Sequence, residues 1–112
     1  ELVDVGQVQN AYSILDRTHE PIVDFCREHD IAFVPFFPLG SAFGGQNKVL
    51  EHPGVVAAAE RLGATTAQIA LAWVLALAPN TLLIPGTSSL AHLEENLAAG
   101  SVTLDDEAMT AL

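Results

Sequence analysis

The chain has 112 residues, of which 50% are hydrophobic, and a formal net charge of −10 at pH 7. This length predicts one domain over residues 1–112, and the apolar content is enough for a core, which excludes a disordered chain. Four Lys and Arg residues against fourteen Asp and Glu residues cannot form a basic surface, which excludes nucleic acid and anionic membranes as partners.

The apolar pattern along the chain predicts short strands that alternate with helices. In chain order these are a strand over 2–8, a helix that begins at Pro21, a buried strand over 31–34, a helix from Pro53 to Gly63, a helix over 67–77, a strand over 81–84, a helix over 90–99 and a short helix over 105–112. Thr65 and Gln68 form a capping-box signal for the third helix. This alternation predicts parallel strand pairing and an α/β fold.

Several side chains that could carry chemistry have a simpler explanation. Trp73 and Cys26 fall on apolar helix faces, so we expect core packing and an inert thiol. A single cysteine cannot form an internal disulfide, which favours a cytoplasmic location. The residues His19, His29 and His52 lack the clustered spacing of a zinc site, so we expect no metal.

Polar segments follow each predicted strand, at 9–13, 36–41 and 85–89, where parallel α/β folds place their sites. The third segment precedes a helix whose first N–H groups can bind a phosphate. Alternatively, Ser88 or Ser89 only caps that helix, which is the simpler interpretation. The loop over 43–47 is either a flap over a ligand or a surface loop.

Four segments carry the most specific patterns: QNAYSILDR at 9–17, FFPLG at 36–40, TTAQIALAW at 65–73 and LIPGTSSLAHLEEN at 83–96. In this order they resemble motifs of the aldo-keto reductases, and the PFFPLG and IPGTSS forms are most similar to bacterial members related to pyridoxal reductase. The resemblance implies the C-terminal part of a (β/α)8 TIM barrel, with about three βα units that contain strands six to eight. The chain begins with Glu1, so we expect it to be part of a longer protein.

The resemblance also implies an NADP(H)-dependent oxidoreductase that reduces aldehydes and ketones to alcohols by hydride transfer. The family's catalytic Tyr, Lys, Asp and His come from barrel units that the chain does not match, and neither Tyr12 nor Lys48 falls at a tetrad position. We therefore predict no catalytic residue in this chain and no activity of its own. The alternative is a non-catalytic fragment or weak dinucleotide-binding module, which could self-associate through exposed strand edges.

Five residues match the nicotinamide and pyrophosphate half of the family's cofactor site. By resemblance, Gln9 hydrogen-bonds the nicotinamide carboxamide, and an amide suits this role because it both donates and accepts. Phe36 would stack on one face of the nicotinamide ring. The loop that passes over the pyrophosphate matches Leu39, Gly40 and Ser41.

The adenosine half of the cofactor site matches residues near the last predicted strand. By resemblance, the segment Gly86, Thr87 and Ser88 holds the adenosine 2′-phosphate. The adenine ribose and base are reached by Glu95 and Asn96.

Two positions depart from the family pattern. Gly86 stands where many members have a lysine, and His92 stands where many have an arginine. Because histidine gives a weaker and pH-dependent contact to a phosphate, the resemblance implies NADP(H), with NAD(H) as a second candidate cofactor. A His92 side chain that faces a phosphate predicts cofactor affinity that falls as the pH rises through ~6–7.

Overall fold

The computed structural model describes residues 3–40 and 48–112. Its elements are β1 (Gln7–Ala11), α1 (Glu20–Glu28), β2 (Ala32–Phe36), α2 (Pro53–Leu62), α3 (Thr66–Ala76), α4 (Leu90–Ala98), a 3-10 turn (Ala99–Ser101) and α5 (Asp106–Ala111). The predicted α/β class is confirmed. The predicted loop at 43–47 lies outside the described residues, as does Leu2 of the predicted first strand.

The two strands pair in parallel, with Gln7 opposite Ala32 and Ala11 opposite Phe36. The predicted position of the first strand, over 2–8, is wrong. Val3 and Val5, which contributed to its alternating pattern, are 73% and 50% exposed. The strand lies further along the chain because the hydrogen bonds of β2, rather than local alternation, select its residues.

The predicted third strand, over 81–84, is also wrong as a continuous strand. It is reduced to a single parallel bridge between Phe33 and Thr81. Around that bridge Phe33 N donates to Asn80 O at 3.0 Å and Leu82 N donates to Phe33 O at 2.9 Å. The next donor on this side of β2 would be Pro35, which has no N–H, so the ladder stops there.

The core lies between one face of the sheet and the helices. Every residue of α3 from Ile69 to Val74 is buried, as its apolar sequence predicts. The Trp73 ring stacks on Tyr12, with ring centroids 6.0 Å apart, and Phe33 contacts Tyr12 edge-on. Cys26 is fully buried, and this burial raises the pKa of its thiol, in agreement with an inert core residue.

Local sequence signals define the helix ends. Proline opens both α1 and α2, and α2 ends at Gly63, whose left-handed φ of 66° favours glycine. Thr65 and Gln68 form the predicted capping box at the start of α3, and Asp105 caps α5. Within the described ranges, no helix has both the length and the apolar character needed to cross a membrane.

Candidate functional site

A cavity of about 600 Å³ lies where the end of β2, the start of α3 and the residues His92, Glu95 and Asn96 of α4 meet. The loop over 36–40 forms one wall, the segment over 84–87 leads into α4, and Leu50, Thr66 and Ala67 complete the lining. This volume is within the usual range for small-molecule and cofactor sites. The cavity is therefore the candidate functional site.

Most of the site residues predicted from the sequence line this cavity. The predicted site residues in its lining are Phe36, Leu39, Gly40, Gly86, Thr87, His92, Glu95 and Asn96. Two others, Gln9 and Ser88, do not line it, and Ser41 lies outside the described residues. Segments separated by about fifty residues in sequence thus form one concave surface.

Gln9 lies on the same side of the sheet as Phe36 although it is outside the cavity lining. It is the register partner of Val34, and Phe36 lies two residues beyond Val34 on β2. Because side chains alternate between the two faces of a sheet, Gln9, Val34 and Phe36 share one face. The opposite face carries Phe33, which belongs to the core.

Sequence reasoning missed Phe37, which lines the cavity next to Phe36. The two rings meet edge-on with centroids 5.3 Å apart. Phe37 has a left-handed φ of 56°, a conformation that costs an L-residue roughly 1–2 kcal/mol. The left-handed residue falls directly after β2, where the two rings contact each other at an interplanar angle of 85°. The adjacent pair of aromatics before Pro38 was the available signal.

The N-terminus of α4 confirms the capping interpretation for Ser89. Its hydroxyl accepts a hydrogen bond from His92 N at 3.3 Å, and Ser89 N donates to Thr87 Oγ1 at 3.1 Å. The N–H groups of Leu90 and Ala91, in the first turn, have no acceptor within the helix. Capping by Ser89 therefore leaves donors for an anion, and phosphate binding there stays a prediction.

Glu95 is attached to the start of α3 by two hydrogen bonds. Its carboxylate accepts from the Thr65 hydroxyl, and its main-chain carbonyl accepts from Gln68 Nε2 at 3.1 Å. Sequence reasoning identified Thr65 and Gln68 only as a helix cap. The second set of bonds was not visible because Glu95 lies about thirty residues further along the chain.

The electrostatics of the lining come from two side chains. His92 is the only basic residue and Glu95 the only acidic residue among the described residues that line the cavity. No group of three or more His, Cys, Asp or Glu side chains that could hold a metal occurs within 3–40 and 48–112. The other residues of the lining are aromatic, apolar, hydroxyl and amide residues together with Gly40 and Gly86.

Tyr12 lies in the core rather than at the cavity. Its hydroxyl donates to Glu20 Oε1 at 3.1 Å, and its side chain is only 1% exposed. Burial, followed by the hydrogen bond to the Glu20 carboxylate, raises the pKa of Tyr12 to about 12. Deprotonation of this phenol at neutral pH is therefore strongly disfavoured.

Comparison with known proteins gives consistent matches. The family model described as aldo/keto reductase family matches residues 1–112. The chain is 46% identical over 112 residues to pyridoxine 4-dehydrogenase from Escherichia coli K12, covering 100% of this chain and 37% of that protein. It is 34% identical over 129 residues to probable aldo-keto reductase 1 from Glycine max, covering 92% of this chain and 37% of that protein.

Solved structures agree with these relatives. An aldo-keto reductase from Klebsiella pneumoniae in complex with NADPH superposes with a TM-score of 0.83 at 28% identity, covering 94% of this chain and 37% of that chain. Aldose reductase from Giardia lamblia gives a TM-score of 0.86 at 24% identity over 99% of this chain and 37% of that chain, a likeness in fold. The chain thus spans little more than a third of the length of these proteins. It belongs to the aldo/keto reductase family.

Proposed function

We propose that this chain is the C-terminal, cofactor-binding part of an NADP(H)-dependent aldo-keto reductase that reduces aldehydes and ketones to alcohols. On this proposal its βα units contain strands six to eight of a (β/α)8 barrel. The single observation that carries the proposal is the cavity, which gathers residues from β2, α3 and α4 at one place. The end-to-end family match supports it.

The residues of the cavity fit a nicotinamide dinucleotide phosphate. Phe36 offers an aromatic face to the nicotinamide ring. Thr87 lines the cavity just before α4, and the first-turn N–H groups of that helix suit a phosphate bound beside it. Asn96 can both donate to and accept from an adenine edge. Space is available beside Gly86, because a Cβ added there meets no heavy atom within 4 Å.

When bound, NADPH supplies a hydride to a carbonyl carbon. The contribution of this chain is to bind the cofactor, orient its ring and provide an apolar wall beside it. The aromatic pair Phe36 and Phe37 forms that wall at the end of β2. Desolvation by such a wall strengthens the polar contacts made elsewhere in the cavity.

On this proposal, the proton for the alcohol comes from a part of the parent protein that this chain does not match. Tyr12 is buried and hydrogen-bonded to Glu20, and its pKa of about 12 reflects that environment. The described residues that line the cavity include no Tyr or Lys. We therefore expect the 112-residue chain to bind NADPH without reducing a carbonyl compound.

Calorimetric titration of the chain with NADPH tests the proposal. Phe36→Ala should weaken NADPH binding, because stacking on an aromatic ring is worth roughly 1–3 kcal/mol, or about 5- to 150-fold in affinity. Phe25→Ala is the matched control, because Phe25 is also an exposed phenylalanine but lies on α1 outside the cavity lining. An assay of NADPH oxidation with an aromatic aldehyde should show no turnover.

Two results would contradict the proposal. The first is the absence of NADPH binding by a folded chain, or equal losses in the two phenylalanine variants. The second is saturable turnover by the isolated chain, which would show that a proton donor is present within it.

A further inference from the structure

We propose that Thr65 and Gln68 are positioning residues that hold Glu95 for recognition of the adenine end of the cofactor. Neither residue lines the cavity, whereas Glu95 does. This inference rests on the proposed function, because it assumes that an adenine nucleotide occupies the cavity. It adds to that function a link between the cap of α3 and the binding surface of α4.

The capping box of α3 makes two sets of bonds at once. Within the box, Thr65 Oγ1 accepts from Gln68 N at 3.1 Å and Gln68 Oε1 accepts from Thr65 N at 3.0 Å. The remaining donors of the same side chains then reach across to α4: the Thr65 hydroxyl donates to Glu95 Oε1, and Gln68 Nε2 donates to Glu95 O. A helix cap alone requires only the first set.

These polar bonds matter because α4 has little apolar anchorage. No residue of α4 is buried, and Leu90 and Leu97 are each more than 70% exposed. In contrast, α3 is the central buried helix of the core. The bonds from Thr65 and Gln68 therefore link the exposed helix α4 to the buried helix α3, at the turn of α4 that carries Glu95.

The chemistry of Glu95 explains how the link affects a ligand. An ionised carboxylate can accept about four hydrogen bonds, so the bond from Thr65 leaves capacity for an exocyclic amine such as that of adenine. An anchored carboxylate loses less rotamer freedom when the ligand binds. Asn96, the next residue, also lines the cavity and supplies an amide suited to the same base.

Substitutions at Thr65 separate this role from helix capping. Thr65→Ser keeps both the cap and the donor. Thr65→Gly removes the hydroxyl without adding charge, and glycine costs only a few tenths of a kcal/mol at a cap position. Thr65→Asp keeps a strong capping acceptor but replaces the donor to Glu95 with a carboxylate that repels it, so it covers the case in which Thr65→Gly fails to fold.

The measurement is the affinity of each folded variant for NADPH and for 2′,5′-ADP, which carries the adenosine part alone. We expect Thr65→Gly and Thr65→Asp to weaken both ligands by about two- to tenfold, with Thr65→Ser close to the unsubstituted chain. Phe36→Ala should weaken NADPH and leave 2′,5′-ADP unchanged. Thermal unfolding of each variant shows that it is folded under the conditions of the titration.

The outcomes distinguish failure of the inference from failure of the proposed function. If the unsubstituted chain is folded and binds neither ligand, the proposed function fails and the inference fails with it. If it binds both ligands and the Thr65 variants bind them equally well, only the positioning role is refuted. A loss confined to NADPH would also refute it, because the adenosine part would not be involved.

Discussion

Ionisation of Tyr12 should destabilise the fold at alkaline pH. Its pKa is raised to about 12 by burial and by the hydrogen bond to Glu20, whereas an unfolded chain has a tyrosine pKa near 10. Because the folded-state pKa is the higher one, the contribution to stability is fully present below pH ~10 and is lost as the pH rises through about 12. Two pKa units correspond to roughly 2.7 kcal/mol, of which about 1.4 kcal/mol is lost by pH ~11.

Two measurements check this prediction. Tyr12 is the only tyrosine of the chain, so tyrosinate absorbance in the near ultraviolet reports its titration without interference from other phenols. Urea unfolding at pH ~8 and pH ~11 should show that Tyr12→Phe loses about 1.4 kcal/mol less stability on alkalinisation than the unsubstituted chain. Phenylalanine retains the ring that stacks on Trp73. A folded-state titration midpoint near 10, or equal losses in the two proteins, would refute the reasoning.

Two further predictions concern a helix end and the cavity. Gly63→Ala should destabilise the chain by roughly 1–2 kcal/mol in urea unfolding, because Gly63 has a φ of 66°. Gly100→Ala is the control, because Gly100 has no left-handed φ and a Cβ added there meets no heavy atom within 4 Å. A loss of stability in Gly100→Ala equal to that in Gly63→Ala would contradict the argument. His92→Gln should weaken NADPH binding in calorimetric titration, because it removes the only basic side chain among the described lining residues; an unchanged affinity would contradict this expectation.

The sequence motifs predicted the part of the candidate site that lies within them. The motifs after β2 and before α4 name residues that the fold places around one cavity, such as Leu39, Thr87 and Asn96. The aromatic pair before Pro38 indicates Phe37 as a candidate, but its left-handed backbone is visible only in the structure. The bond from Thr65 to Glu95 joins two segments whose separation in space only the packing of α4 on α3 determines.

Helix boundaries were determined by the sequence itself, because their signals act within a single turn. Pro53 opens α2, Gly63 ends it, and the Thr65–Gln68 pair opens α3 where predicted. Strand positions were decided by tertiary structure, because a strand exists only where a neighbour supplies hydrogen bonds. β1 is placed by its register with β2, and the segment after Asn80 pairs only at Thr81 because Pro35 offers no further donor.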